Sequence, residues 1–219
     1  DLGTVTLPPS HPRASDGTCV VFGFAISGPD GIVVFDTGPR EGHEVIDELY
    51  SPSILPIDTA LHRAGLDERD VIAVVNSHLH FDHCGQNHAL PHAPVWVAEA
   101  ELAAAAEPHY TVPEWATIDV ERRRLSHDGE LVMEGVELLH TPGHTPGHQS
   151  LTVGTAAGVE IVAGQVCWTC EEFSQGRVDP GDPHSDEWAA VAADSLDRLR
   201  RMDAAVVHLS HDAQPLQLA

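Results

Sequence analysis

The strongest constraint on this chain is the segment NSHLHFDHCGQN, residues 76–87, which follows the apolar run VIAVV and places His78, His80, Asp82 and His83 within six positions. An unbroken β-branched run of this kind predicts a strand buried on both faces, so the cluster sits at a strand end. Side chains two apart in extended backbone share a side, and His78 and His80 can therefore address one cation. A bend after Phe81 would turn Asp82 and His83 toward a second. With sixteen histidines in the chain, a single one carries little weight, but this spacing does. Two further segments repeat the signal. HTPGHTPGHQS holds His144 and His148 in a Pro-Gly framework that sets a tight loop, and LSHD places His211 after a short apolar run.

The remaining pattern supplies a scaffold. CVVFGFAI and IVVFDTG read as two β-runs joined through SGPDG, whose Pro-Asp-Gly provides turn chemistry. EGHEVIDELY and PIDTALHRAGL have helical spacing, with Gly65 placed to close the second. AEAELAAAAE is helical by propensity. LVMEGVELLHT, QSLTVGT and VEIVAG read as successive strands with glycine turns between them. SDEWAAVAADSLDRLRRM reads as a helix with Ser185 as its N-cap, and AAVVHLSHD as a final short strand. Strands come in two batches, each followed by helices, with no linker-like stretch between. The pattern predicts one α/β domain over residues 1–219, its sheets covered outside by helices.

Charge and composition remove several functions. A formal charge of -23 opposes binding to nucleic acid, which rests on a cationic footprint. The chain contains no lysine, which excludes an internal Schiff base and a P-loop lysine. No apolar run approaches the roughly 18–20 residues of a bilayer span, and no basic start with an apolar stretch follows Asp1. Four cysteines in 219 residues do not make a disulfide framework, so a cytoplasmic, reducing setting is expected. Cys167 and Cys170 in CWTC lack the βαβ context of a redox motif; one thiol is expected in packing and the other at the surface. The scattered histidines His11, His62, His92 and His127 are expected at the surface.

Together, HLHFDH, TPGHTPGH, the DTG at Asp36 to Gly38 and the late SHD resemble the metallo-β-lactamase superfamily from about residue 19 to residue 212. Within it, SHLHFDHCGQN and TPGHTPGHQSL are most similar to the N-acyl-homoserine lactone hydrolases, the quorum-quenching lactonases. The resemblance implies an αββα sandwich with cations in a cleft at one edge of the two sheets. It implies that His78, His80 and His144 hold a first metal and that Asp82, His83 and His211 hold a second. His148 matches a position that is not a ligand and hydrogen-bonds within the loop. Asp36 matches a residue that supports the histidine loop.

Two positions depart from the family pattern. Gln165 stands where two-metal members carry a bridging aspartate; it is neutral and offers a single carbonyl oxygen. The expectation is one tightly bound Zn2+ and a second ion weaker or absent, with Mn2+ or Fe2+ as alternatives. Trp168 stands where the lactonases carry a tyrosine, and with Phe81 it is the candidate substrate contact. The implied reaction is the opening of a small-molecule lactone or ester by attack of metal-bound hydroxide, with Asp82 orienting the water and shuttling its proton. The alternative is a degenerate member with one metal that acts on another ester, thioester or amide, or binds a small molecule without turnover. Oligomeric state is left open.

Overall fold

Successive side chains of the strand Gly31–Phe35 leave on opposite faces, yet Ile32, Val33, Val34 and Phe35 are all buried. Val33 and Phe35 pack with Ala73 and Val75 against Val136, Leu138, Leu151 and Val162. Ile32 and Val34 face the other way and pack with Val74 and Val95 against Ile57 and Leu61. The strand is therefore covered by a second sheet on one side and by the helix Ile57–Arg63 on the other. The same alternation recurs in the strand Val136–His140. There Leu138 joins the sheet-to-sheet core, while Leu139 faces outward with Ile161 and Val207 against Phe173, Leu196 and Leu199. These last three come from the helices Cys170–Gln175 and Asp186–Arg200. The result is the expected αββα sandwich, seen in a computed structural model that describes residues 1–178 and 186–218.

The first sheet has five strands in the order Phe24–Gly28, Gly31–Phe35, Val71–Val75, Val95–Val97, Arg123–Leu125, parallel after the opening hairpin. The second has six, in the order Leu216–Gln217, Val206–His208, Gly158–Val162, Gln149–Thr155, Val136–His140, Leu131–Met133. A small third sheet pairs Gly3–Thr6 with Thr18–Val21 and Ser53–Ile54. Val71–Val75 lies in the middle of the first sheet, as its unbroken apolar run predicts.

Two expected strands prove to be broken. CVVFGFAI is split at Phe22 and Gly23, so that Thr18–Val21 serves the small sheet and Phe24–Gly28 the five-stranded one. Phe22 donates its N–H to the Ser210 carbonyl at 2.8 Å, and a Cβ at Gly23 would lie 2.5 Å from the Asp36 carbonyl oxygen. The chain thus changes sheets through a gap that admits only glycine. LVMEGVELLHT is a hairpin in itself, with Met133 paired to Val136 across Glu134 and Gly135, the glycine at φ 77°. Gly65, at φ 77°, closes its helix as expected. Ser185 lies outside the described residues.

This topology gathers the chemistry at one edge. Asp36, Asn76, Thr141, Gln165 and His211 all lie just beyond the carboxyl ends of strands, three residues or fewer from the last strand residue. The two sheets are stitched together there, since Gln149 donates its backbone N–H to the Ser77 carbonyl at 2.9 Å. Leu138→Ala should cost about 2–5 kcal/mol in urea unfolding, because it leaves a cavity between the sheets. Leu131→Ala, 60% exposed on the edge strand, should stay within about 0.5 kcal/mol.

Candidate metal centre

Asp36 anchors the site. It is fully buried, in the left-handed region at φ 60°, which a short polar residue tolerates best among those with a Cβ. Its Oδ1 accepts the Ser77 backbone N–H at 2.7 Å, and its Oδ2 accepts the Ser77 hydroxyl at 2.7 Å and the His83 Nδ1–H at 2.8 Å. Because Ser77 spends its one proton on Asp36, its oxygen can only accept from His78 Nδ1, 2.9 Å away. The carboxylate thereby orients two rings at once. His78 carries its proton on Nδ1 and turns an Nε2 lone pair toward the cleft, and His83, bonded to Asp36 through Nδ1, turns its Nε2 the same way.

His78 Nε2 lies 3.0 Å from His80 Nδ1, and His144 Nε2 lies 3.1 Å from the same atom. Burial lowers the pKa of His78 and His144 well below the ordinary value and that of His80 to about 4, so all three are neutral at pH 7. With no proton on His78 Nε2, one proton on His80 Nδ1 or His144 Nε2 can satisfy only one of the two contacts. At least one of these close nitrogen pairs is left without a proper hydrogen bond, a mismatch that a shared cation resolves. The three nitrogens lie within 4.8 Å of one another.

Asp82, His83 and His211 form the second convergent set, with ligand atoms also within 4.8 Å. Asp82 Oδ2 is 3.5 Å from His83 Nε2 and 3.9 Å from His211 Nε2. His83 Nε2 is buried and has no hydrogen-bond partner, an orphaned polar atom that a cation would satisfy. Burial alone would depress the His83 pKa, but the carboxylates of Asp82 and Asp36, with the Gln165 amide beside the ring, outweigh it and raise it to about 9, so a cation binding at Nε2 would displace a proton. Burial likewise opposes ionisation of Asp82, yet His83, His211 and His80 hold its pKa below the usual carboxylate value. His211 donates Nδ1–H to the Val20 carbonyl at 2.9 Å, with the Cys19 sulfur 3.1 Å away, which leaves Nε2 as an acceptor. Gln165 points its Oε1 at that nitrogen from 3.0 Å, so two acceptors meet with no proton between them. Turning the amide over would instead make Gln165 a donor to His211 and occupy the nitrogen.

His148 is spent on structure. It donates Nδ1–H to the Thr141 carbonyl at 3.0 Å and accepts the Gln165 backbone N–H on Nε2 at 3.0 Å. A Cβ on Gly164, which has φ 62°, would come within 2.8 Å of that ring nitrogen. Trp168 stacks on the His211 ring at 4.6 Å and 25°, with the Arg13 guanidinium 5.0 Å from the indole centroid. Phe81 packs on Tyr50 with ring centroids 4.7 Å apart. His11, expected at the surface, is half-buried and meets Trp168 edge-on at 5.6 Å; His62, His92 and His127 are exposed. Cys167 is buried and its thiol pKa is pushed up by that burial, whereas Cys170 is partly exposed and donates to the Gln214 carbonyl.

One residue of the site was invisible in the sequence. Glu101, in the helix Glu99–Ala105, is fully buried and accepts hydrogen bonds from both histidine loops. An acidic residue in an alanine-rich helix looks like part of a solvated face, and only the packing of that helix onto the loops turns it inward.

A sandwich of this topology with two nitrogen-rich donor sets at the strand ends is a metal-site hydrolase scaffold. Over residues 15–211 the sequence matches the metallo-beta-lactamase superfamily, and the chain belongs to that superfamily. It is 30% identical over 210 residues to an N-acyl homoserine lactonase of Bacillus sp, covering 89% of this chain and 82% of the relative. It is 31% identical over 153 residues to the N-acyl homoserine lactonase AttM of Rhizobium radiobacter, covering 59% of this chain and 58% of the relative. A solved variant of B. thuringiensis AiiA with N-decanoyl-L-homoserine bound at the active site aligns with a TM-score of 0.79 at 25% identity, over 97% of this chain and 90% of that one. The Rm3 metallo-beta-lactamase, at 23% identity and a TM-score of 0.63, shares the fold over 89% of this chain and 73% of its own.

Asp36→Asn should lower stability of chelator-treated protein by about 1–3 kcal/mol, read by thermal melting, since an amide N–H2 would face a donor at one of its positions.

Proposed function

We propose that this chain is a divalent-metal-dependent hydrolase that opens a lactone ring, with N-acyl-homoserine lactones as the substrate class. The observation that carries the reading is the pairing of two convergent donor sets with an orphaned buried nitrogen on His83, in a chain akin to N-acyl homoserine lactonases over most of its length. His78, His80 and His144 would hold one cation, and Asp82, His83 and His211 a second. Imidazole and carboxylate donors suit Zn2+, Mn2+ and Fe2+ alike, with Zn2+ the first candidate. When bound, such a cation supplies a charge that polarises a carbonyl and lowers the pKa of water from ~15.7 toward ~7.

The protein's own groups do the rest. Asp82, ionised and flanked by His83 and His211, orients the attacking water and moves its proton toward the departing alkoxide. Trp168, stacked on His211, and Phe81 belong to one apolar cluster beside the second donor set and would offer a surface to an acyl chain. The indole of Trp168 can donate through its N–H but cannot release a proton as a phenol can, so substrate orientation rests more on shape than on a hydroxyl. Gln165 brings no charge to the second cation, and we infer a second ion held less tightly than the first. A neutral amide at that corner also supports the second reading, a single-metal member acting on a different ester, thioester or amide.

The working partner is a small molecule rather than a nucleic acid, in keeping with the formal charge of -23. Among the described residues no helix is long and apolar enough to cross a membrane. The cysteines Cys19, Cys84, Cys167 and Cys170 are unpaired, which supports a reducing, cytoplasmic setting.

Elemental analysis and a lactone-opening assay test the proposal directly. A chelator should abolish hydrolysis of an N-acyl-homoserine lactone and added Zn2+ should restore it; hydrolysis indifferent to both would dismiss the metal reading. Asp82→Asn should reduce kcat by about 10²–10⁴-fold while the three-histidine set keeps its ion. Gln165→Asp should raise the second ion's occupancy toward one per chain, and a wild type already holding two ions of equal affinity would refute the inference about Gln165.

A further inference from the structure

We propose that Glu101 is a positioning residue of the cation site, its buried carboxylate tying together the two loops that carry His78, His80 and His144 and setting the spacing of their nitrogens. The proposal rests on reading those three imidazoles as ligands of a cation.

Glu101 has no solvent exposure, and the groups it bonds are all neutral donors. Its Oε1 accepts the Leu79 backbone N–H at 2.8 Å together with the Tyr110 hydroxyl. Its Oε2 accepts the Thr145 hydroxyl at 2.7 Å and the Gly147 backbone N–H at 3.1 Å. Leu79 lies between His78 and His80, and Thr145 directly follows His144. One side chain, 22 residues from the first partner and 44 from the second, thus holds both segments in a common frame.

The contact is close as well as complete. A Cβ on Gly147 would sit 2.3 Å from the Glu101 backbone nitrogen, so the helix is pressed onto the second loop with no room for a bridging water. Tyr110 extends the clamp to the third ligand, because its ring packs on the His80 ring with centroids 4.7 Å apart while its hydroxyl is held by Glu101. A carboxylate is costly to bury where alanine or leucine would fill the same helix position. A cation site offers a reason to retain it. Nitrogen ligands must meet the ion within a few tenths of an ångström, and the two loops share no other carboxylate among the described bonds.

The test measures Zn2+ affinity by competition with a chromophoric chelator and records the visible absorption of the Co2+-loaded chain, which reports ligand geometry without reference to turnover. Glu101→Gln, whose N–H2 must face two donors, should weaken the tighter Zn2+ site by about 10–100-fold and alter the Co2+ spectrum. Thr145→Val, which removes one donor from the clamp, should weaken it by roughly 2–10-fold. Met133→Ala, buried between the sheets beside Gly28 and outside the core that packs on the Glu101 helix, should lower the Tm while leaving Zn2+ affinity and the Co2+ spectrum as in the wild type. Wild-type affinity and spectrum in both clamp variants would overturn the proposal, as would an equal affinity loss in Met133→Ala. If Glu101→Gln does not fold, Thr145→Val decides alone. A wild type that takes up no Zn2+ would instead overturn the metal reading, and this proposal with it.

Discussion

The structure depends on three hydrogen bonds accepted by one buried carboxylate. Asp36 holds the backbone of Ser77, the hydroxyl of Ser77 and the ring of His83, and through the serine it reaches His78. Without that chain the two rings would be free to turn, and their Nε2 atoms would not converge on the cleft. Asp36 itself lies directly beyond the strand Gly31–Phe35, at a positive φ that turns its carboxylate across to the neighbouring parallel strand's loop. The strained backbone of one residue and the ring orientations of two others are parts of the same device.

The sandwich explains why this device can be so thoroughly buried. Central strands such as Gly31–Phe35 and Val71–Val75 are buried on both faces, so the buried polar work gathers at strand ends, where backbone groups leave the ladders and need partners. At this edge the partners are side chains from distant segments: Gln149 bonds the Asn76 carbonyl at 2.7 Å and Ser150 bonds the Ala163 carbonyl at 3.1 Å. These bonds stiffen the floor of the cleft before any ligand arrives. Donor sets built on such a floor are preorganised, and a cation entering them has little ordering left to do.

Much of the site was legible because its signal is local. Histidines at alternate positions after a β-branched run leave few other interpretations, and Pro-Gly spacing around His144 and His148 marks a loop of fixed shape. Residues whose role depends on a partner far along the chain were not legible. Glu101 carries no signal within its alanine-rich helix, His11 reads as a scattered histidine, and the run from Cys19 to Ile26 reads as one strand rather than two in different sheets. The hairpin at Gly135 was hidden for a different reason: the apolar pattern continues across it, and only the pairing of Met133 with Val136 exposes the turn.

The sequence by itself determined the donor chemistry, the order of the strands that deliver it and the absence of charge at Gln165, since residue type and short-range spacing suffice for each. Only the tertiary structure decided which nitrogens face the cleft, that Gln165 sets its amide oxygen 3.0 Å from His211, and that a helix carboxylate grips both histidine loops. These are relations between groups tens of residues apart. They exist only once two sheets have packed and excluded the water that would otherwise satisfy each group separately.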